Sequence, residues 1–194
     1  MAALNLDPKS TALVLIDLQH GITSMTLAPY LSAEIVARSA ELAAAFRARN
    51  ATVVYVRVEL TDMLNLPVDA PRRDPNAPPP PAIASEIVPE SGYQDGDLLI
   101  TKRQWGAFYD TGLDQQMRRR GIRTIVLGGI ATNYGVESTG RAAFDQGYQL
   151  VFAEDAMSSV AAEAHDFAVQ HIFPRMGRVR KSAEILEALA GQAS

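Results

Sequence analysis

Short, strongly apolar runs recur along this sequence, and patterns typical of helices lie between them. The first run, TALVLID, is apolar on both faces of a strand, as expected for a strand buried inside a parallel sheet. Comparable runs predict strands over residues 11–17, 51–58, 97–101, 124–128, 149–153 and 178–180. Strands that alternate with helices predict a three-layer α/β/α fold with a parallel sheet and right-handed crossovers.

The helical patterns have recognisable faces and ends. Apolar side chains recur at the spacing of one helix face in two places, at Leu31, Ile35, Leu42 and Phe46, and at Leu113 and Met117. Thr111 and Asp114 have the spacing of a capping box, and Gly121 and Gly147 stand where a left-handed C-cap requires glycine. Two further helices are predicted over residues 161–173 and 182–190.

One segment does not fit the short connections of such a fold. A chain of 194 residues with 47% apolar residues is enough for one domain with a sizeable core, and we predict a single domain over residues 1–194. Residues 60–89 form a proline-rich insert that contains Pro67, Pro71, Pro75, Pro78 to Pro81 and Pro89. Loops of this length tend to be lids, interfaces or disordered segments.

Charge and composition exclude several classes of function. A formal charge of -4 argues against a nucleic-acid partner, which needs a concentrated basic face. No apolar run approaches the ~20 residues of a membrane span, and the N-terminus lacks the pattern of a signal peptide, so we expect a cytoplasmic protein. The absence of cysteine excludes disulfides, thiolate metal sites and thiol nucleophiles.

Several polar residues follow the predicted strands directly. They are Asp17, Glu59, Lys102, the segment 129–135 and Asp155. Because the carboxyl ends of parallel strands share one edge, where ligands bind, an acid and a lysine there form a plausible catalytic pair. Each side chain also has a structural alternative. Asp17 is then a turn or capping residue, Lys102 a solvated lysine and Glu59 an exposed residue, whereas Asp155 caps the following segment or binds backbone amides.

The aromatic and histidine residues give weaker signals. Trp105, Phe108 and Tyr109 follow Lys102 closely, which is compatible with an apolar pocket wall, although such side chains more often belong to a core or an interface. The three histidines do not cluster as metal ligands do, and His165, next to Asp166 on a predicted helix, is interpreted as a surface residue. We therefore expect no metal and no cofactor.

Three stretches together resemble the isochorismatase-like family of cysteine hydrolases: ALVLIDLQHGI, ITKRQWGAFYDTGLDQQMRRRGI and GGIATNYGVESTGRAAFDQGY. The resemblance spans residues 11 to about 189. It implies a Rossmann-like fold with a six-stranded parallel sheet, a homodimer or larger homo-oligomer, and hydrolysis of amides or related small molecules. In the family's amidases an Asp, a Lys and a Cys form the catalytic triad. Asp17 and Lys102 match the first two, and Gly135 stands where the family has its cysteine nucleophile.

The resemblance also implies the geometry of the turn around Gly135. The family has a cis peptide before the residue that matches Ala131, and backbone N–H groups around Ala131 and Gly135 form an oxyanion hole. Thr132 and Asn133 are then expected to bond the turn backbone and to cap the helix. The predicted substrate pocket and oxyanion hole comprise Ala131, Thr132, Gln19, Trp105, Phe108 and Tyr134.

Without cysteine, the thioester route is closed, and the mechanism must change. Isochorismatase proper, which resembles this chain in having glycine at that position, hydrolyses a vinyl ether with a general acid rather than a nucleophile. By that resemblance Asp17 is the acid, Lys102 its electrostatic partner, and Gly135 leaves room for water or substrate. The predicted substrate is a small carboxylated molecule. The alternative is a catalytically silent protein that retains the pocket and binds a small molecule.

Overall fold

Strands and helices alternate along the part of the chain that the computed structural model describes, residues 4–63, 66–70, 74 and 76–191. The strands are β1 (Thr11–Ile16), β2 (Thr52–Val58), β3 (Leu98–Lys102), β4 (Thr124–Ile130), β5 (Gln149–Ser158) and β6 (Arg178–Arg180). The helices are α1 (His20–Thr23), α2 (Ser32–Ala48), α3 (Leu113–Arg119), α4 (Glu137–Asp145), α5 (Ala162–Phe167) and α6 (Ser182–Ala190).

All six strands form one parallel sheet in the order β3-β2-β1-β4-β5-β6. The chain builds the sheet outward from β1 in one direction and then returns to pair β4 with the other side of β1. The strand order therefore reverses between β1 and β4, and ligands of such folds bind in the crevice outside the carboxyl ends of the strands at this point. The prediction of a three-layer α/β fold is confirmed.

Both faces of the sheet are covered, which explains why β1 is apolar at every position. Ala12, Val14 and Ile16 point into one core with residues of α3 and α4. Leu13 and Leu15 point into a second core with residues of α2 and α6. Alternate residues of a strand face opposite sides, so a strand between two helical layers has no position for a solvated side chain.

The fifth strand is longer than its apolar run predicts. The pairing of β5 with β4 shifts register after Leu127, and β5 resumes pairing at Met157 and Ser158. Between these paired stretches lies Asp155, whose carboxylate accepts hydrogen bonds from the backbone N–H and the hydroxyl of Ser182 at the start of α6. Asp155 thus binds a backbone amide as predicted, and the acidic interruption in the sequence marks an irregular section of the strand.

The ends of the helices agree with the predictions in most places. Gly121 and Gly147 follow α3 and α4 with φ of 67° and 85°, the left-handed conformation expected of a C-terminal glycine. The capping box is wrong: α3 begins at Leu113, and the carboxylate of Asp114 instead binds Tyr148 and Arg118. The helix predicted over residues 161–173 is α5 followed by a π-helical turn and a 3₁₀ turn.

The C-terminal part of the proline-rich segment is fixed to the sheet edge beside β1. Residues 82–85 and 89–91 form 3₁₀ turns. The backbone N–H of Val88 donates to Leu18, and that of His20 donates to Glu86. Residues 82–88 therefore form a wall next to the residues that follow β1. Pro71 and Pro75 lie outside the described residues.

Gly129 allows β4 to approach β1 closely, and its replacement should be costly. It has φ of 112°, and a Cβ there would lie 2.2 Å from the carbonyl oxygen of Ile16. We expect Gly129→Ala to lower the free energy of unfolding by about 3 kcal/mol or more, because strain and a backbone clash coincide. Gly106→Ala is the control, since its Cβ would meet Ser138 at an ordinary 3.7 Å. Equal stability of the two variants in urea denaturation would contradict this account.

Candidate active site

Asp17 is the first residue beyond β1 and begins the candidate site. Its backbone N–H donates to Val56 of the neighbouring strand at 2.8 Å, and its φ of 53° is unusual for a residue other than glycine. This conformation ends the strand sharply. The side chain is buried at the switch point of the sheet rather than exposed in a surface turn.

Lys102 is the last residue of β3 and reaches the same point across the end of β2. Its side chain is fully buried, and its Nζ lies 2.9 Å from Oδ2 of Asp17. Nζ also donates to the backbone carbonyl of Trp105 at 2.7 Å. A lysine this deeply buried needs such partners for its charge, so the alternative of a solvated Lys102 does not hold.

Gly135 lies directly against this ion pair. It belongs to a π-helical turn, Thr132–Val136, which follows a cis peptide bond between Ile130 and Ala131. A Cβ at position 135 would lie 3.0 Å from Nζ of Lys102 and 3.2 Å from Oδ2 of Asp17. The charged pair therefore closes against the glycine. The room expected there for water or substrate opens only if the two side chains move.

Two aromatic side chains stand beside the pair, and a third does not. The rings of Trp105 and Tyr134 are 4.9 Å apart, and these side chains are 45% and 39% exposed. Both can contact a ligand, because Tyr134 precedes Gly135 and the carbonyl of Trp105 binds Lys102. Phe108 instead lies in the core beside Tyr148, so the structure does not support it as a pocket wall.

Gln19 has a structural role rather than the predicted contact with a ligand. Its side chain is fully buried, and its Nε2 donates to the carbonyls of Val58 and Ala84 at 2.9 and 3.0 Å. Its Oε1 accepts from the N–H of Val58 at 2.8 Å. The amide therefore joins the end of β2 to the proline-rich segment and fixes the wall beside Asp17.

The polar residues of the turn bind neighbouring elements instead of capping the helix. The hydroxyl of Thr132 is hydrogen-bonded to Nδ1 of His165 at 2.9 Å, and both side chains are buried. Oδ1 of Asn133 accepts a hydrogen bond from the hydroxyl of Ser159. The expectation that Thr132 and Asn133 cap the helix is therefore wrong, and so is the interpretation of His165 as a surface residue.

Comparison with known proteins agrees with this geometry. The model of the isochorismatase domain matches residues 11–184. The isochorismatase family protein YecD of Escherichia coli O157:H7 is 48% identical over 96% of this chain and 100% of its own length. The chain belongs to the isochorismatase family.

The chain is also similar to a solved structure and, over part of its sequence, to an amidohydrolase. A solved isochorismatase family protein from Burkholderia thailandensis is 42% identical, with a TM-score of 0.89 over 97% of this chain and 100% of that one. The ureidoacrylate amidohydrolase RutB of Variovorax paradoxus is 42% identical over 41% of this chain and 31% of its own length. The prediction of a hydrolase is confirmed at the level of the family.

The described residues of this isochorismatase-family chain contain neither a cluster of metal-binding side chains nor a membrane-spanning helix. No group of three or more His, Asp or Glu side chains there could hold a metal ion. No helix in the described ranges is long and apolar enough to cross a bilayer.

His165 is the residue that sequence reasoning missed. The charged neighbour Asp166 favours an exposed position for His165. However, Ala168 and Ile172 follow His165 by three and seven residues, which places all three on one helix face. Ala168 is buried and Ile172 packs against the core. That spacing was a usable signal for burial.

The buried ion pair leads to a prediction about stability. Lys102→Met leaves the carboxylate of Asp17 without its ammonium, and we expect the free energy of unfolding to fall by about 4 kcal/mol. The double variant Asp17→Leu/Lys102→Met should lose less than the sum of the two single variants. The exposed pair of Arg103 and Asp62 is the control, and Arg103→Met should change stability little. Additive losses at Asp17 and Lys102 in urea denaturation would contradict a coupled pair.

His165 should make the stability of this family member depend on pH. Burial lowers the pKa of His165 below its ordinary 6.5, while Glu154 and Asp166 raise it and Lys181 lowers it further. The unfolded chain then binds more protons at this residue, so its contribution is complete above pH 6.5 and is lost as the pH falls. The stability difference between the wild type and His165→Leu should therefore shrink between pH 7 and pH 5. A difference that grows over this range would contradict the sign.

Proposed function

We propose that this hydrolase acts on a small carboxylated molecule by acid–base catalysis, without a covalent intermediate. Asp17 exchanges the proton, and Lys102 is its electrostatic partner. The observation that carries this proposal is the 2.9 Å ion pair, which lies directly against Gly135. By the resemblance described above, position 135 is where the family's amidases have their cysteine. A buried carboxylate at the strand ends, where ligands bind in such folds, is a candidate for proton transfer to a substrate.

The hydroxyl of Thr139, which contacts the backbone of Gly135, is not a suitable replacement for the missing thiol. The hydroxyl of Thr139 is buried, donates to the carbonyl of Gly135 at 2.6 Å and accepts from the N–H of Ala107 at 3.1 Å. It therefore supports the turn from within the helix. A nucleophile also needs an adjacent base, and Thr139 binds only backbone groups in these two bonds. In this proposal the nucleophile is water.

Vinyl-ether hydrolysis suits this set of groups. The carboxylic acid of Asp17 gives its proton to the terminal carbon of the enol ether, and an oxocarbenium ion forms. Water adds to that ion and loses a proton to the carboxylate of Asp17, and the hemiketal breaks down to a ketone and an alcohol. Asp17 is regenerated as the acid.

The ion pair sets a condition on this chemistry. An ammonium 2.9 Å from Asp17 favours the carboxylate, whereas the first step requires the acid. A carboxylate on the substrate resolves the conflict, because it can bind the ammonium of Lys102 and leave Asp17 free to take up a proton. The carboxylated substrate is therefore part of the proposal and follows from the charge balance of the site.

The surrounding groups have supporting roles in the proposal. Trp105 and Tyr134 contact the planar, unsaturated part of the substrate. The backbone N–H groups of Ala131 and Gly135 bind developing negative charge, with Thr132 beside them.

We further propose that the protein is a homo-oligomer, at least a dimer, that it is located in the cytoplasm, and that it works without a cofactor.

Turnover of defined substrates tests this function. The purified 194-residue chain is given isochorismate and a panel of small amides that includes ureidoacrylate, and release of pyruvate or ammonia is measured. We expect pyruvate from the vinyl ether, and a loss of about 100-fold or more in kcat for Asp17→Asn, since a general acid contributes at least that much. Gly135→Ala should also lose activity, because its Cβ would press on the ion pair.

Asp62→Asn is the matched control, since Asp62 is an exposed carboxylate paired with Arg103. It should leave turnover unchanged. Ammonia release that depends on Asp17 would shift the proposal to water-based amide hydrolysis. If nothing on the panel is turned over but a ligand raises the melting temperature, the chain is a binding protein and the catalytic proposal is wrong.

A further inference from the structure

The turn that carries Gly135 is attached to helix α5 by a buried hydrogen bond. Thr132 opens the turn immediately after Ala131, and its hydroxyl is 2.9 Å from Nδ1 of His165, 33 residues further along the chain. Both residues are buried. A buried polar group that loses its partner incurs the cost of its own desolvation, so each of these two side chains holds the other in place.

The surroundings of His165 keep its ring in one orientation. The ring of Tyr30 meets it edge-on with centroids 5.8 Å apart. The charged groups that face it come from three elements: Asp166 on its own helix, Glu154 on β5, and Lys181 before α6. The effects of the two carboxylates and of the ammonium on the pKa of His165 are opposite in sign, and burial favours the neutral imidazole. A neutral imidazole can donate or accept at Nδ1 and so can match the hydroxyl of Thr132.

The position of this bond gives it influence on the ion pair. Two residues separate Thr132 from Gly135, and the position of Gly135 limits how closely Lys102 and Asp17 can approach the turn. A shift of Thr132 therefore moves the backbone against which the charged pair rests. The bond acts at the start of the turn.

We propose that His165 is a positioning residue: through Thr132 it holds the turn that presents Ala131 and Gly135 to Asp17 and Lys102. Its hydrogen bond is to Thr132 and its ring packs on Tyr30, so it acts by fixing the backbone on which the reacting groups depend. This inference rests on the proposed function for its kinetic consequence. Its structural consequence, displacement of the turn, can be measured without any substrate.

Trp105 is a built-in reporter for that displacement. It is the single tryptophan of the chain, and its ring is 4.9 Å from that of Tyr134, which belongs to the turn. A shift of the turn changes the distance between these rings and the exposure of Trp105 to solvent. The emission maximum and the quenching of Trp105 by acrylamide therefore report on the turn in the folded protein.

The experiment compares four variants at the two ends of the bond. His165→Leu and Thr132→Val remove it, whereas His165→Asn and Thr132→Ser retain a hydrogen-bonding group near the same point. We expect the first two to change Trp105 emission and quenching and to lower kcat by about 100-fold with little change in KM, as for a misplaced catalytic site. The conservative variants should recover most of both signals. The double variant should lose no more than either single variant, because both remove one interaction.

His171→Leu is the matched control, since His171 is an exposed histidine that contacts Phe167. It should change neither readout. If His165→Leu and Thr132→Val lower only the melting temperature, and the folded variants keep wild-type emission and kcat, His165 is merely structural and the proposal is overturned. If His165→Leu does not fold, Thr132→Val decides alone. If the wild type has no turnover, the proposed function fails, and Trp105 still shows whether His165 holds the turn.

Discussion

The buried ion pair between Asp17 and Lys102 is the interaction on which the rest of the site depends. Removing either charge from water alone would cost several kcal/mol, and the pair tolerates burial because Nζ and Oδ2 are 2.9 Å apart and Nζ also binds a backbone carbonyl. That arrangement needs β1 and β3 in their observed order, with Lys102 reaching over the end of β2. The sheet topology thus makes the charged site possible, and the pair in turn joins an edge strand to the centre of the sheet.

The turn that faces this pair is held from several directions. Thr132 is bonded to His165, Asn133 to Ser159, and the carbonyl of Gly135 to Thr139. The carbonyl of Ala131 accepts from the N–H groups of Tyr134 and Val136. Groups that stabilise developing charge are most effective when they do not have to reorganise during the reaction. A turn anchored to several elements meets that requirement better than a free loop.

Much of this arrangement could be predicted from the sequence because it follows from one rule. Parallel strands bring their carboxyl ends to a single edge, so the residues after each apolar run must gather there, as Asp17 and Lys102 do. This rule predicts where a residue lies along the strand, but it does not predict the direction of its side chain.

Side-chain direction explains the wrong predictions. Gln19 and Phe108 are close to the site in sequence, but Gln19 turns to the backbone of Val58, and Phe108 packs on Tyr148, which is distant in the chain. Contacts of this kind depend on tertiary packing. Helical spacing could have predicted the burial of His165. Its bond to Thr132 could not be predicted in this way, because it joins two elements whose relative position is defined only by the tertiary fold.

Glycine at position 135 changes what the charged pair can do. A Cβ there would lie about as close to Nζ of Lys102 and Oδ2 of Asp17 as these two atoms lie to each other, and it would also press on Ile16 at 2.9 Å. A side-chain nucleophile at position 135 would therefore displace Asp17, Lys102 or the turn itself from the observed contact. In the resting protein the two charges satisfy one another, and opening the pair requires a competing charge. Within the proposed mechanism, a substrate carboxylate that binds Lys102 supplies that charge, admits the substrate beside Gly135 and allows Asp17 to take up a proton. Substrate recognition and activation of the acid are then one event.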